Sequence, residues 1–293
     1  MKNVDESPLA WHDKSAEQLM SLERLDDDLF AAQYNQVNAN GRLFGGQVLG
    51  QSLGAAMATV ERRGVHSMHC YFLRPGISDR RLVFMVERVR DGRRFSTRRV
   101  MAVQNGKPIF VMSASFFDPQ NGYVHQSAMP DVPPPESLEN LAQIAARNDF
   151  PEAANLAKLV DLYPIEVRPV DPGVLTKRTQ IPKLQYWVRV ANAASSDDPR
   201  VHQQILAYIS DFWLINTALT PHRVPVPSSQ LEAASLDHGM WFHRPVRTDE
   251  WMLYDTDSPS ALGGISLSRG LIFQRDGTLV ATTAQEALQH PLD

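Results

Sequence analysis

The chain has a single cysteine, Cys70, among its 293 residues. That excludes an internal disulfide framework and suits a reducing compartment. No run approaches the roughly 18 apolar residues that a membrane-spanning helix needs. The first thirty residues are rich in acids and lack the apolar core of a secretory leader. The C-terminal HPLD carries no peroxisomal or retention signal. A cytoplasmic location is therefore expected. There is no excess of positive charge: the net charge is −4, which argues against general affinity for nucleic acid or anionic membrane. G-x-S-x-G, P-loop and G-x-G-x-x-G motifs are all absent. Metal spacing is poor. His66 and His69 are three apart on a predicted strand and point to opposite faces, and His238 and His243 are five apart. These histidines read as core or hydrogen-bonded residues, and no metal or cofactor is expected. Cys70 lies in an apolar strand with no base beside it, so it reads as buried and inert.

What remains is an ordinary globular composition, 43% hydrophobic and 21% charged. One stretch stands out, His202–Leu219, HQQILAYISDFWLINTAL. It is apolar almost all round from Ile205, which predicts a buried helix. Asp211 lies near its middle, and burying an unpaired carboxylate costs several kcal/mol or raises its pKa. Either Asp211 caps a helix beginning at Phe212 or lies at a turn, or it is a buried base or water-orienting group.

The rest of the chain reads as strands with a few helices. A short helix is expected over Ser15–Leu22, then a strand pair at Leu22–Leu25 and Leu29–Tyr34. Gly45-Gly46 opens a small-residue helix whose Gly50, Gly54, Ala55, Ala56 and Ala58 would let it lie very close to a sheet. Strands follow to Phe117, with hairpin signals at Asp91-Gly92 and Asn105-Gly106. Pro119, Pro130 and Pro133-Pro134-Pro135 mark a linker carrying two exposed helices, Glu136–Arg147 and Asp149–Leu162. Strand vocabulary returns from Pro164, including Ala233–Phe242 as one strand.

The two halves match. CYFLRP (70–75) lies against MWFHRP (240–245), 170 residues later, and Asn105-Gly106 against Asp276-Gly277. QVLGQSLG (47–54) lies against QILAYISD (204–211), with about 13 extra residues of the second half falling in the loop Thr220–Gln230. Two copies suit a pseudo-symmetric pair rather than a solenoid. The expected units are 1–118, a Pro-rich linker 119–163, and 164–293. One helix per half with long antiparallel strands describes an α+β fold in which a sheet wraps a buried helix. In this pairing Gly54 stands where Asp211 stands, so the acid is not required by the shared fold. Gln285 stands where the first half has Ala114. Asp211, Ser235 and Gln285 come from three elements of one half and could converge on a water. The arginines of ERVRDGRRFSTRRV (88, 90, 93, 94, 98 and 99) are either the solvated face of a hairpin or contacts for phosphates.

The segments FGGQVLGQSL (44–53), VHSMHCYFLRPG (65–76), RRVMAVQNGKPIF (98–110), SASF (113–116) and DHGMWFHRP (237–245), with the surroundings of Asp211 and Gln285, resemble the acyl-CoA thioesterase II family. The resemblance spans about residues 18 to 288. It implies a double hot dog fold and hydrolysis of fatty acyl-CoA to fatty acid and CoA without a cofactor. It implies a catalytic set of Asp211, Ser235 and Gln285, with serine where bacterial members often carry threonine. His66 matches a histidine also considered catalytic in the family. A thioester hydrolase needs a positioned water, a base and oxyanion donors. The start of the first helix, Gly45-Gly46-Gln47, is the candidate for the donors. Acyl-CoA is the expected partner, and a homodimer or homotetramer the expected assembly. The rival readings are a hot dog acyl-CoA hydratase or dehydratase, which pairs an Asp with a His, and a non-catalytic acyl-CoA-binding module. No histidine adjoins Asp211 in sequence.

Overall fold

The computed structural model describes residues 9–147, 149–150, 153–175, 179–190, 196–222 and 231–291. In the first half, α1 (Ala16–Met20) starts at Ser15, whose hydroxyl accepts from Gln18 N–H while the Gln18 side chain accepts from Ser15 N–H. Strands β1 (Leu22–Asp26) and β2 (Leu29–Ala32) precede α2 (Gly45–Met57), and β3 (Gly64–Phe72), β4 (Val83–Asp91), β5 (Phe95–Gln104) and β6 (Lys107–Phe117) follow it. The Asn105-Gly106 turn adopts positive φ at both residues, 50° and 71°, as a tight hairpin requires. The linker carries α3 (Leu141–Arg147) and α4 (Ala153–Leu162). They are not exposed helices. Each buries an apolar stripe, Leu141, Ile144 and Ala145 on one and Ala153, Leu156 and Leu159 on the other.

The second half runs β7 (Ile165–Pro169), β8 (Lys183–Val190), α5 (Pro199–Ser210), β9 (Leu231–Ser235), β10 (Asp237–Phe242), β11 (Met252–Leu262), β12 (Ile265–Gln274) and β13 (Leu279–Pro291). The single strand expected over Ala233–Phe242 is broken at Leu236, so β9 and β10 are separate. Much of the loop expected to hold the extra residues, 223–230, lies outside the described residues.

All strands join one antiparallel sheet in the order β1-β2-β4-β5-β6-β3-β10-β13-β12-β11-β8-β7, with β9 beside β13. The order is the same read outward from either side of the β3–β10 seam, where Met240 pairs with Met68 and Gly239 with His69. Each half of the sheet curls over its own helix, and the two helices pack against each other: a double hot dog. Among the described residues no helix is long and apolar enough to cross a membrane.

Gly46, Gly50 and Gly54 of α2 face the other helix rather than the sheet. A Cβ on Gly46 would lie 2.4 Å from the Tyr208 carbonyl oxygen, and one on Gly50 2.8 Å from that of Gln204. This fourfold spacing cuts a groove along one face of α2, and α5 lies in it antiparallel. The C-terminal end of α5 therefore meets the N-terminal end of α2.

Candidate active site

That meeting point holds Asp211. The all-apolar helix does not continue through it: α5 stops at Ser210, and Asp211 is its C-cap. Trp213 turns the chain with φ 61°, and a 3-10 helix covers Leu214–His222. Two buried tyrosines secure the helix end. Tyr254 Oη donates to the Ser210 carbonyl at 2.9 Å, and Tyr186 Oη to the Phe212 carbonyl at 2.6 Å. These carbonyls have no partner within the helix, so the hydroxyls satisfy groups that burial would otherwise leave bare. Of the two local readings of Asp211, the turn is the correct one. The carboxylate then projects onto the start of α2, where the Gly46 amide favours its ionised form. Gly45 leaves the room: a Cβ there would stand 2.7 Å from Asp211 Oδ2.

Ser235 and Gln285 reach the same carboxylate. Ser235 Oγ donates to Asp211 Oδ1 at 3.2 Å, Gln285 Nε2 donates to the same oxygen at 3.2 Å, and Gln285 Nε2 also donates to Ser235 Oγ. Strand geometry explains the convergence. Gln285 occupies a core-facing position of β13, and Ser235 lies opposite Ala287, two residues along the same strand. Asp211 is 7% exposed and Gln285 1%, whereas Ser235 is half-buried, so the group opens on the Ser235 side. Burial pushes the Asp211 carboxyl above the usual carboxylate range, opposed by His238, Gln285, Ser235 and the Gly46 amide.

His238 was not anticipated as part of this group. Its Nδ1 lies 2.8 Å from Gln285 Oε1 and its Nε2 3.0 Å from Ser210 Oγ, with the side chain 1% exposed. Burial lowers its pKa, against the pull of Asp211. The signal was present in the repeat. The 170-residue offset sets His238 against Met68, which is wholly buried and pairs with Ala114, the residue set against Gln285. The adjacency that a dehydratase-type Asp–His pair needs is not made, because both ring nitrogens are held by Gln285 and Ser210.

The remaining candidates separate. Gln47 is a structural residue: its Oε1 accepts from Gln36 N–H at 2.7 Å and its Nε2 donates to the Leu19 and Tyr34 carbonyls, while its own N–H returns to the Phe44 carbonyl. His66 lies six residues before the end of β3, with Nε2 2.8 Å from Ser115 Oγ and its ring edge-on to Phe95 and Phe117. It does not join the Asp211 group. Cys70 is free and buried, with its thiol pKa pushed up by burial and by Asp211. In the arginine run, Arg98 is buried and bonded to Thr59 and Asp91, Arg88 pairs with Asp28, and Arg90, Arg93 and Arg94 are exposed. Among the described residues, no cluster of three or more His, Cys, Asp or Glu could hold a metal.

A cavity of about 210 Å³ lies under the linker, lined mainly by Leu141, Leu159, Val160, Tyr163, Ile165 and Phe212, the residue that follows Asp211. Tyr163 lines it, packs edge-on against Phe44 and Phe212, and feels the charge of Asp211.

The chain's likeness to known proteins bears on this geometry. A family model described as acyl-CoA thioesterase matches residues 157–288, and one described as acyl-CoA thioesterase N-terminal domain matches residues 35–117. Acyl-coenzyme A thioesterase 8 of Homo sapiens is 43% identical over 281 residues, covering 92% of this chain and 87% of the relative. Acyl-CoA thioesterase 2 of Haemophilus influenzae is 39% identical over 273 residues, covering 92% and 95%. Among solved structures, acyl-CoA thioesterase II TesB2 of Mycobacterium marinum is similar with a TM-score of 0.77 at 41% identity, covering 94% of this chain and 97% of that one.

Proposed function

The chain belongs to the acyl-CoA thioesterase family, and on that premise we propose that it hydrolyses fatty acyl-CoA with a water activated by Asp211. The observation that carries the reading is the convergence of Ser235 and Gln285 on one oxygen of a buried carboxylate. Two donors on Oδ1 fix the plane of the carboxylate, which lets it accept a proton from a water in a set direction. The water oxygen adds to the thioester carbonyl carbon as its proton passes to Asp211. The carbon–sulfur bond then breaks, and the CoA thiolate takes the proton back. A thiol of pKa roughly 8.5 is a good leaving group, so no stronger acid is needed. For the oxyanion, the Gly45 and Gly46 N–H groups in the first turn of α2 have no helical partner and lie at the positive end of the helix dipole, whereas that of Gln47 is taken by the Phe44 carbonyl. Gly45 and Gly46 permit the close approach. A complex with a non-hydrolysable thioester would place its carbonyl oxygen there, and any other location discards that role.

We place the acyl chain in the cavity under the linker. Its lining is mostly apolar, and Tyr163 and Phe212 connect it to the Asp211 group. A 150 Å³ apolar cavity accommodates benzene, so 210 Å³ holds about eight carbons. Fatty-acid metabolism in the cytoplasm, in a homodimer or homotetramer, completes the reading. Fractionation and light scattering test those two points.

The decisive experiment follows thiol release from acyl-CoA. Asp211→Asn is expected to lower kcat by at least about 10²-fold, the scale of a general base. Unchanged release in that variant removes Asp211 from the mechanism. The binding-module alternative predicts no release from the unaltered protein.

A further inference from the structure

We infer that His238 is a positioning residue: it locks the Gln285 side-chain amide in the orientation that aims its NH2 at Asp211 and Ser235. The inference rests on the thioesterase reading for its kinetic consequence but not for its geometry. A glutamine amide has two nearly isosteric ends, and only its partners decide which way it lies. An ionised carboxylate offers no donor, so the end facing Asp211 Oδ1 must be Nε2. Oε1 then faces His238 Nδ1 at 2.8 Å, and that contact is a hydrogen bond only if Nδ1 carries the proton. A neutral ring, the form that burial favours, then leaves Nε2 as an acceptor. Ser210 Oγ is 3.0 Å from Nε2 and 2.8 Å from the Ala207 carbonyl, and with one hydroxyl proton it serves Nε2 only when it releases that carbonyl. The path runs from the last turn of α5, through β10, to β13, and returns to the carboxylate at the end of α5.

The repeat supports a role beyond the fold. Leu53, Gly54, Met68 and Ala114 stand where Ser210, Asp211, His238 and Gln285 stand. The first half folds the same way with an apolar or glycine residue at every one of these positions. His238 is therefore one member of a set that changed together, and Met is a residue that the fold accepts at its place.

The test compares His238→Met with His238→Asn in the full-length protein. Met removes the donor, whereas the Asn amide nitrogen stands near the place of Nδ1 and restores it. In His238→Met, kcat is expected to fall about 10²-fold, the scale of a misplaced catalytic group, with KM little changed. The acid limb of the kcat/KM profile should move to higher pH, because Asp211 loses the donor that favours its ionised form. The other groups facing this site, Cys70, Tyr163, Tyr186, Asp237 and Tyr254, are the same in both variants. His238→Asn should recover most of the rate and return the limb. A His238→Met enzyme with full activity overturns the inference. So do two variants equally impaired with the limb unmoved, which is the behaviour of a packing residue. The ¹⁵N shifts of the unaltered protein give a readout free of folding and of the thioesterase reading. A proton on Nδ1 is expected, and an unprotonated Nδ1 overturns the inference. No thiol release from the unaltered enzyme would instead count against the proposed function.

Discussion

Asp211 lies between two opposed helix dipoles. As the C-cap of α5 it sits at a negative end, and against Gly46 it sits at the positive end of α2. The two largely offset, so burial decides, and the carboxyl pKa lies above its ordinary value. A raised acid has a definite sign in both activity and stability. The base is present only above the raised pKa, so kcat/KM should fall as pH drops through a point above the usual value of about 3.9. A limb at or below that value would contradict the burial argument. The ionised carboxylate also costs the fold at neutral pH, because the unfolded chain ionises it more readily. Asp211→Asn should therefore be no less stable than the parent in urea while being inactive, and a clear loss of stability would mean that the charge is well compensated. At Ser235 the hydroxyl alone carries the contact, so Ser235→Thr should keep most of the rate and Ser235→Ala should lower it about tenfold or more. Asp211 and Gln285 were legible in the sequence because each differs in kind from its counterpart in the repeat, Gly54 and Ala114, and Ser235 came with the family resemblance. His238 carried the same mark, a histidine against Met68, but its separation from His243 was weighed as metal spacing, where it fails. The orientation of Gln285 was not legible, because it turns on contacts with Asp211 and His238, 74 and 47 residues away in the chain.

The α2–α5 contact places the acid, and it rests on glycine. Gly46→Ala would gain about 1 kcal/mol of helix propensity. It would also force a Cβ to 2.4 Å from the Tyr208 carbonyl, backbone that cannot swing aside. Overpacking of this kind costs about 1–3 kcal/mol, so the variant should be net destabilised. It should also lose activity, since moving α5 moves Asp211 relative to Ser235 and Gln285. An unchanged urea midpoint with full activity would show that the helices separate freely. The existence of both helices was legible, and so were the hairpins, whose Asn-Gly and Asp-Gly turns state their own geometry, and the strands apart from the break at Leu236. The packing partner of α2 was not, because a stripe of small residues signals a close neighbour without saying whether it is a sheet or a helix. The end of α5 was hidden for a related reason. Phe212–Leu219 is as apolar as the helix before it, and the break depends on Trp213 in a left-handed conformation with tyrosines of β8 and β11 bonded around it. The linker helices answer to substrate length. Val160→Trp should fill part of the cavity and lower kcat/KM for acyl chains beyond about eight carbons, leaving short chains unaffected. An identical length profile in the variant would move the acyl chain elsewhere.

Across the whole molecule both halves admit polar groups to the interior, among them Gln47, Arg98, His202 and His238. For the histidines that burial has a cost when the solution is acidified. Burial lowers the pKa of His66, His202, His238 and His243 alike. His202 is the case free of the catalytic group. It is 1% exposed, its Nδ1 accepts from Thr248 N–H at 3.2 Å, and its Nε2 has no hydrogen-bond partner among the described residues. Arg247 opposes its protonation, and Asp249 and Asp197 favour it without outweighing burial. The sign follows from proton counting. Below the unfolded value of about 6.5 the unfolded chain binds protons that the native histidines refuse, so stability falls as pH drops from there toward the lowered native values. The acids Asp91, Glu166 and Asp249 are held below their usual range, and their loss belongs to lower pH. Asp211, raised, works weakly the other way. Urea midpoints should therefore be level above about pH 7 and decline toward pH 5, each refused proton adding up to about 1.4 kcal/mol per pH unit. In His202→Asn the amide oxygen can accept from Thr248 N–H without titrating, so its decline should be shallower by up to one proton's worth. A parent protein as stable at pH 5.5 as at pH 7.5 would mean that the histidines protonate in the native state, and an equal slope in the variant would clear His202 of its share.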